Sequence, residues 1–344
     1  SAEASLCAPQ KKPRVMISVR HLRKVYRIGD EKVVALGDIN LEILQGQIVC
    51  IVGTSGSGKS TFLNQLAGLE KPTRGAVYIG KTNISRLSEN QLATFRQRYL
   101  GFVFQSYNLL PTMTALENVS LPLIFKGAPK ALRDKAAMTM LAAVGLKKRA
   151  YHRPTQMSGG QQQRVGIARA FVTRPKVIFA DEPTGNLDTK TTIDVMKMMV
   201  RFARRYRQTL IIVTHDPEIA DYADRVVTLI DGAITSDVSH EPIYDGKSEQ
   251  GQTLLPDELI VPDDEIPQGP IDASEDEPIP PLADTLLFPD SDPADGFHQA
   301  GRTPAVKDTD TSQSDPEPPP PASGASTDHP AAPDDARQKG DVSP

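Results

Sequence analysis

The sequence predicts an α/β fold with an inserted all-helical segment and a long polar tail. Short apolar runs alternate with helical patterns over the first 240 residues, which is typical of a sheet covered by helices. Residues 114–173 interrupt this alternation with a mostly helical pattern. After residue 240 the composition changes, because this part holds 19 of the 29 prolines and 24 acidic residues against 5 basic ones. It buries too little apolar surface to offset the entropy of ordering it, so we expect disorder there.

Charge, cysteine content and hydropathy argue against a disulfide-rich, a cysteine-metal or a membrane-spanning protein. The net charge of −4 averages +15 over residues 1–240 with −19 over residues 241–344. Cysteine occurs only at Cys7 and Cys50, which argues against a disulfide framework or a cysteine-based metal site. No segment approaches the roughly 20 consecutive apolar residues of a membrane span, and the N-terminus has no signal-peptide core. We expect a cytosolic chain that meets a membrane only through a partner, with a disordered leader at residues 1–13.

The first half of the predicted domain (14–240) begins with short strands. They are predicted at residues 15–19, 24–28, 33–36 and 39–43, with turns at Gly29-Asp30 and Gly37-Asp38. The apolar run Ile48–Val52 is typical of a strand that is buried on both faces of a parallel sheet. From Ser60 the apolar spacing becomes helical, and this helix is expected to end at Gly68.

The second half begins with the helical segment, in which Leu132, Ala136 and Met140 recur at a spacing of four. We assign a helical subdomain to about residues 106–173. The later elements are a strand at 177–180, a helix from 189 to about 206, a strand at 210–213, and two last strands at 225–230 and 233–235. There is no internal repeat, so we expect a single copy of the domain.

A glycine-rich loop between the strand at 48–52 and the next helix matches G-x-x-x-x-G-K-[ST]. Its residues are Gly53, Thr54, Ser55, Gly56, Ser57, Gly58, Lys59, Ser60 and Thr61. Glycines let backbone N–H groups converge on phosphate oxygens, and the helix that follows adds the positive end of its dipole. We expect Lys59 to reach the β- and γ-phosphates and Ser60 to bind Mg²⁺. The alternative is a chance glycine turn. For such a turn, the strand before the loop and the helix after it would be a coincidence.

Two carboxylates close the strand at residues 177–180. Asp181 and Glu182 are therefore expected at the carboxyl edge of the sheet, where ligands of open α/β folds bind. Asp181 is suited to hold Mg²⁺ through water, and Glu182 to take the proton of an attacking water. The alternative is that the two carboxylates only mark a solvated strand end. The neighbouring phosphate loop favours a functional role instead.

A second helix start also has the character of an anion site. Ser158 is a good N-cap residue, and it is followed by Gly159, Gly160 and Gln161. An ordinary capped helix has little need for two glycines in its first turn, because glycine disfavours helix. The free N–H donors of this turn are therefore expected to face a second side of the phosphates.

Together these motifs resemble those of the ATP-binding subunits of ABC transporters, over residues 15 to about 235. The resemblance implies a P-loop NTPase (RecA-like) core with an antiparallel β subdomain and an inserted all-helical signature subdomain. It identifies residues 53–61 as Walker A and residues 158–161 as the signature. It further implies an adenine-stacking Tyr26, a Q-loop Gln105 that helps to hold Mg²⁺, a D-loop Asp188 and a switch His215. Met157 stands where leucine is usual, which is a change of similar volume.

The resemblance also implies how the site is completed. In this family two chains associate head to tail, and the signature of one closes over the ATP on the phosphate loop of the other. We therefore expect a homodimer that binds two ATP with Mg²⁺ and uses Lys59, Glu182 and His215 in hydrolysis. Asp188 is expected to cross the dimer interface, with a role as cap of the helix at Thr189 as the alternative.

The segments 102–119 and 180–188 resemble those of lipoprotein-releasing, macrolide-exporting and cell-division ABC ATPases. That likeness implies an integral-membrane permease of few spans with a large extracytoplasmic domain, with or without a periplasmic adaptor. The chain would then lie at the cytoplasmic face of the inner membrane. Residues 106–127, including Tyr107, Leu109 and Leu110, are the expected docking surface, with subdomain core as the alternative.

Two questions stay open at this stage. An ATP-gated switch that controls an envelope hydrolase or a sensor would use the same motifs as an exporter. The acidic tail either competes for the basic body or recruits a partner, or it is an inert solvated segment. Nucleic-acid binding is not expected, since only 99 positions separate Lys59 from Ser158, too few for the coiled coil of ABC-type DNA-repair ATPases.

Overall fold

The computed structural model describes residues 14–246, which form two β-sheets and the helices around them. The strands are β1 (Val15–Ile28), β2 (Glu31–Leu44), β3 (Ile48–Val52), β4 (Arg74–Ile79), β5 (Thr82–Asn83), β6 (Leu100–Phe104), β7 (Val177–Asp181), β8 (Thr209–Thr214), β9 (Arg225–Ile230) and β10 (Ala233–Ser239). The α-helices are α1 (Lys59–Leu66), α2 (Glu89–Tyr99), α3 (Ala115–Phe125), α4 (Lys130–Ala143), α5 (Gly159–Phe171), α6 (Thr189–Arg205) and α7 (Pro217–Ala220). The predicted leader (1–13) and residues 247–344 of the predicted tail lie outside the described residues.

The first sheet has four antiparallel strands in the order β2-β1-β4-β5. Here the prediction of four short strands is wrong, because β1 and β2 are each 14 residues long and the only turn between them is at Gly29-Asp30. The pair Gly37-Asp38 lies inside β2 instead of forming a turn, and the Gly37 N–H donates to the Gly232 carbonyl. The pairing of β1 with β2 contains register shifts, as at β-bulges. These shifts accommodate the residues that break the alternation of apolar and polar side chains.

The second sheet has six strands in the order β10-β9-β3-β8-β7-β6. Strand β3 pairs in parallel with β8 on one side and with β9 on the other, so the prediction of a central buried strand is confirmed. The predicted strands at 177–180 and 210–213 correspond to β7 and β8, and the last pair to β9 and β10. Sequence reasoning did not predict β4, β6 or α2, although β6 ends at the motif that contains Gln105.

Alternate residues of the central strands divide the core between the two faces of this sheet. Cys50, Ala180 and Ile212 lie in the cluster that packs with α5 and α6. Ile51, Phe179 and Val213 point to the other cluster, which includes α1 and the antiparallel sheet. Cys50 is a buried core thiol, and burial, followed by the charges of Glu182 and Asp216, raises its pKa to about 12. The sheet is thus covered on both faces and offers its carboxyl edge to ligands.

The inserted helical segment is confirmed as α3, α4 and α5, which pack on one another and on the sheet. Helix α3 begins with a capping box between Thr114 and Glu117. The loop before it is fixed by the buried Asn118, whose side chain bonds to the backbone of Leu110, Met113 and Thr114. Among residues 14–246, no helix has the length and apolar character needed to cross a membrane.

Residues 240–246, which follow β10, continue along the domain. Tyr244 is buried, and the Lys197 ammonium of α6 lies 5.8 Å from the centroid of its ring. The Ile243 N–H donates to the Asp221 carbonyl over 2.8 Å. Residues 241–246, which the sequence analysis placed in the tail, are therefore packed on the domain, because one aromatic side chain is enough to anchor so short a segment.

Candidate active site

Four neighbouring strands end at the same edge of the large sheet. The register pairs Phe104 with Asp181, Asp181 with Val213, and Val52 with Thr214. The loop at 53–58, His215, the Asp181-Glu182 pair and Gln105 follow these strands directly. The parallel register therefore brings together these predicted residues, which lie far apart in the sequence.

The glycine-rich loop has the backbone geometry that requires glycine. Gly56 and Gly58 have φ values of +82° and +95°, which favour glycine. A Cβ at Gly58 would lie 2.6 Å from the Ala35 carbonyl oxygen, and a Cβ at Gly53 would overlap that of Leu229. Helix α1 starts directly after Gly58 without a side-chain cap. Its first N–H groups are thus left available to an anion.

Lys59 folds over this loop. Its Nζ donates to the carbonyl oxygens of Gly53 and Thr54, each over 2.8 Å, and the side chain is buried. The hydroxyl Oγ of Ser57 is also buried and has no hydrogen-bond partner in the described part of the chain. An ammonium held by the loop's own carbonyls and an unpaired hydroxyl fit a pocket that binds phosphate oxygens.

Asp181 faces this loop from the end of β7. Its Oδ1 is buried and lacks a hydrogen-bond partner among the described residues. Burial and the neighbouring charge of Glu182 raise the pKa of Asp181, while Lys59 lowers it. No group of three or more His, Cys, Asp or Glu side chains within residues 14–246 is arranged to hold a metal. An unpaired carboxylate oxygen beside a phosphate loop fits Mg²⁺ that takes its other ligands from hydroxyl, amide and phosphate oxygens.

Glu182 and His215 form a pair at the same edge. The Glu182 Oε1 lies 2.8 Å from the Nδ1 of His215, and its Oε2 accepts a hydrogen bond from the Thr214 hydroxyl over 3.1 Å. Glu182 has a φ of +46°, a strained value for a residue with a side chain. The carboxylate is mostly buried, whereas the His215 ring is 66% exposed. Two contacts thus hold the carboxylate in place next to a ring that is free to meet a ligand.

Tyr26 is held by residues that sequence reasoning missed. Its hydroxyl donates to the Oε2 of Glu70 over 2.6 Å, and the Lys24 ammonium lies 3.1 Å from the same oxygen and 5.0 Å from the ring centroid. Burial and the hydrogen bond to Glu70 raise the pKa of Tyr26. The contact joins residues 44 positions apart, and no sequence motif marks Glu70 as the partner.

The helix start at residues 158–161 is confirmed as a capped terminus. Ser158 and Gln161 form a capping box, with each side chain accepting from the backbone N–H of the other. Gly159 and Gly160 both lie against neighbours, since a Cβ would be 2.8 Å from the Tyr107 hydroxyl and from the Thr191 methyl, respectively. The two hydrogen bonds of the capping box join Ser158 and Gln161 to each other and not to the phosphate loop.

Asp188 and Gln105 each form a hydrogen bond that fixes their position. Asp188 is the N-cap of α6 and accepts from the backbone N–H and the hydroxyl of Thr191, over 3.0 and 2.6 Å. These hydrogen bonds lower the pKa of Asp188. The N-cap position confirms the cap alternative, and the place of Asp188 at the dimer interface stays a prediction. The carbonyl of Gln105 accepts from the Asn186 side chain over 3.1 Å, while the Gln105 residue itself is exposed.

The expected docking surface is divided between exposed and buried residues. Leu109 packs against the core, which agrees with the alternative that this segment belongs to the subdomain core. Tyr107 is half-buried. Leu110 and Ile124 are exposed, and Phe125 is 67% exposed. The exposed apolar side chains of residues 106–127 therefore lie near the two ends of this segment.

Comparisons with known proteins agree with this geometry. The family described as ABC transporter matches residues 36–185. The chain is 49% identical over 211 residues to an uncharacterised ABC transporter ATP-binding protein of Thermotoga maritima, covering 61% of this chain and 90% of that protein. It is 45% identical over 222 residues to the lipoprotein-releasing system ATP-binding protein of Geobacter metallireducens, covering 64% of this chain and 99% of that protein.

A third relative is the macrolide export ATP-binding/permease protein of Rhodopirellula baltica, 45% identical over 225 residues, which cover 65% of this chain and 33% of that protein. The fold is similar to a solved dimeric ATP-binding cassette in a post-hydrolysis state with ADP and phosphate bound. The TM-score is 0.62 at 41% identity, covering 66% of this chain and all of the other. A second dimeric structure of the same cassette gives the same TM-score at 42% identity.

Proposed function

The chain belongs to the ABC transporter family of ATP-binding proteins, and on that premise we propose that it is the ATPase subunit of a membrane transporter that works as a head-to-tail homodimer. Members of this family bind and hydrolyse ATP. The observation that carries the proposal is the meeting of the Lys59 loop with the Glu182–His215 pair at one edge of the sheet. This arrangement places a phosphate-binding loop beside a carboxylate that is positioned to accept a proton.

The roles of the site residues follow from their contacts. The N–H groups of residues 53–61 bind the phosphates, and Lys59 exchanges its contacts with Gly53 and Thr54 for phosphate oxygens. Tyr26 stacks on the adenine ring. The fixed Glu182 carboxylate takes the proton of the attacking water, and the exposed His215 contacts the γ-phosphate and orients Glu182.

Mg²⁺ would be held by the Ser60 hydroxyl, the Gln105 side chain and the Asp181 carboxylate together with phosphate oxygens. Its charge would neutralise that of the phosphates. The unpaired Oδ1 of Asp181 supports this assignment, since oxygen atoms are the ligands that Mg²⁺ prefers.

A homodimer gives the signature turn a role, because its capping box joins Ser158 only to Gln161. In the proposed dimer, Ser158, Gly159, Gly160 and Gln161 close over the ATP of the partner subunit. The capping box leaves N–H groups of the first turn of α5 available for that contact. Asp188 caps α6 and also faces the interface, and the dimeric cassettes with the same fold support this arrangement.

The proposed partner is an integral-membrane permease of few spans with a large extracytoplasmic domain, with or without a periplasmic adaptor. The names of the relatives support it, since one belongs to a lipoprotein-releasing system and another joins an ATP-binding part to a permease. The chain would lie at the cytoplasmic face of the inner membrane and dock through residues 106–127, where Leu110 and Phe125 are exposed. ATP-driven closure of the dimer would then drive export or transmit force to the extracytoplasmic domain.

The proposal is tested by trapping the complex. Glu182→Gln should bind ATP without turning it over, so it should hold the dimer on its permease when purified from solubilised membranes with ATP and Mg²⁺. The matched control is the double variant Lys59→Ala/Glu182→Gln, which lacks the phosphate contact. Mass spectrometry should identify a few-span membrane protein in the first sample only, and its identity separates an exporter from a regulatory switch. Recovery of only soluble or nucleic-acid-bound material would refute the membrane role.

A further inference from the structure

Tyr107 lies along the signature helix α5. Its hydroxyl is 2.8 Å from the point where a Cβ of Gly159 would be, and its carbonyl oxygen is 3.7 Å from the corresponding point at Gly166. These two glycines are seven residues apart and therefore lie on the same face of α5. Gly166 is in the middle of the helix, where glycine is less favourable than alanine. The close passage of Tyr107 gives a structural reason for small residues on this face.

Arg169 fixes the backbone of the same loop. Its guanidinium donates to the carbonyl oxygens of Tyr107, over 2.9 Å, and Asn108, over 2.5 Å. Both residues have positive φ values, +59° and +47°, which are costly outside glycine and persist only where the surroundings impose them. Arg169 is half-buried, and this burial lowers the pKa of its guanidinium. One side chain of α5 thus holds two strained residues in place.

The loop that Arg169 holds is also the loop of Gln105, which is two residues before Tyr107. The Gln105 carbonyl accepts from Asn186, in the segment between β7 and α6. The short stretch 105–108 is therefore fixed to the sheet side by Asn186 and to α5 by Arg169 and the Tyr107 ring. This connection joins the edge of the sheet, where ATP is proposed to bind, to the helix that carries the signature.

We propose that Tyr107 and Arg169 are positioning residues that set the signature turn of α5 relative to the Gln105 loop, so that the signature meets the ATP of the partner subunit. The inference rests on the proposed dimer and deepens it, because it names the contacts that align one half-site with the other. Neither residue belongs to the phosphate loop or to the other residues proposed to bind the nucleotide of its own chain. Their loss should therefore leave ATP binding by the monomer intact and weaken the ATP-dependent dimer.

The test uses the full chain in the Glu182→Gln background. Four variants are compared with this parent: Tyr107→Ala, Tyr107→Phe, Arg169→Lys and Tyr151→Ala. Tyr151 is the matched control, because it is an exposed tyrosine of the same subdomain, with 72% of its surface accessible. Monomer affinity for ATP is measured by titration with a fluorescent ATP analogue at low protein concentration without Mg²⁺. Dimerisation with ATP and Mg²⁺ is measured by sedimentation velocity, and folding by the thermal midpoint.

We expect Tyr107→Ala and Arg169→Lys to weaken the dimer about tenfold, as the loss of one contact in a coupled pair does, with monomer ATP affinity unchanged. Arg169→Lys keeps the charge but cannot bond both carbonyls in a fork. Tyr107→Phe keeps the ring on α5 and should dimerise nearly as well as the parent, and Tyr151→Ala should match it.

Several results would overturn the proposal. One is dimerisation equal to the parent in Tyr107→Ala and Arg169→Lys, even if their thermal midpoints fall, because the contacts would then only stabilise the fold. Another is an equal loss of ATP affinity in the monomer, which would place the effect in the variant's own site. If the parent itself binds no ATP or forms no dimer, the proposed function fails, and the basis of this inference is removed with it.

Discussion

At the scale of single residues, the chemistry of the site depends on Glu182. Its carboxylate is held by Thr214 and by His215, so replacing it with the amide keeps the shape and the contact with the Thr214 hydroxyl. An amide cannot take a proton from water, and we expect Glu182→Gln to lower kcat by about 10² to 10⁴ while ATP affinity stays the same. Steady-state hydrolysis and equilibrium ATP binding measure the two effects. Glu218→Gln, an exposed change on α7, is the control, and parental turnover in Glu182→Gln would place the base elsewhere.

A second residue-scale prediction concerns Glu70, which holds Tyr26. The hydrogen bond from Tyr26, and then those from Lys24 and Asn64, lower the pKa of Glu70 below its ordinary value of 4.5. A lowered pKa in the folded state contributes stability above the unfolded-state pKa, and this contribution is lost as the pH falls through the folded-state pKa. The thermal midpoint of Glu70→Gln should therefore lie below that of the parent at pH 7. The difference should shrink below about pH 4.5.

Thermal unfolding of both proteins between pH 3 and 8 makes this measurement. Glu31→Gln is a suitable control, because Glu31 is an exposed carboxylate at the start of β2. A difference between Glu70→Gln and the parent that is constant over the whole pH range would show that the charge of Glu70 does not stabilise the fold through Tyr26 and Lys24.

At the scale of elements, the local signals in the sequence were the reliable ones. Ser158 as an N-cap and the run Ile48–Val52 depend on neighbours in the chain, and the structure confirms both. The Gly37-Asp38 turn was wrong because pairing within the sheet and the bond to Gly232 outweigh the turn preference of these two residues. Contacts such as Tyr107 with Arg169 join positions 62 apart, and no spacing rule reaches them.

Substitutions of Ser158, the N-cap of α5, can separate an effect on stability from an effect on ATP-dependent dimerisation. Aspartate caps helices as well as serine does, so Ser158→Asp should keep the thermal midpoint near that of the parent. Its charge would face the phosphates of the partner's ATP, and like charges repel, so the ATP-dependent dimer should fail. Ser158→Ala should instead cost about 1 kcal/mol of stability through the lost cap.

The matched control for this test is Thr114→Asp, which makes the same kind of exchange in the capping box of α3. It should retain both stability and dimerisation when the purified chain is studied by sedimentation with ATP and Mg²⁺. A Ser158→Asp variant that dimerises like the parent would show that the N-terminus of α5 does not meet the nucleotide.

At the scale of the whole molecule, four parallel strands carry the site residues because their carboxyl ends share one edge. The motif spacing was sufficient to predict that edge, since the order strand, loop and helix fixes where Lys59 and Asp181 lie. Residues 106–127 were harder to assign, because exposure depends on how α3 packs. Leu109 is turned to the core, whereas its neighbour Leu110 is exposed.

The charge distribution gives the last prediction, for the chain beyond Gly246. Most of its charges are acidic, while the body carries an excess of basic residues that includes the exposed run Lys147, Lys148 and Arg149. Opposite charges on one chain attract, and the attraction weakens as salt screens it. We propose that the acidic segment competes with anionic partners for the basic body. Deleting residues 247–344 should then increase the amount of permease complex that is recovered at low salt. Both this recovery and the ATPase rate should become more sensitive to added salt.

The cut after Gly246 keeps the buried Tyr244, the last buried aromatic residue in the described part of the chain, so the described domain stays intact. A second variant separates charge from length: residues 247–344 stay, with every Asp changed to Asn and every Glu to Gln. If charge is the cause, this variant should behave like the deletion, because both remove the negative counterpart of the body. Unchanged ATPase rate, salt dependence and complex recovery in both variants would mean that the segment is an inert solvated extension. An effect of the deletion alone would point to recruitment through its short apolar runs, such as Leu259-Ile260-Val261.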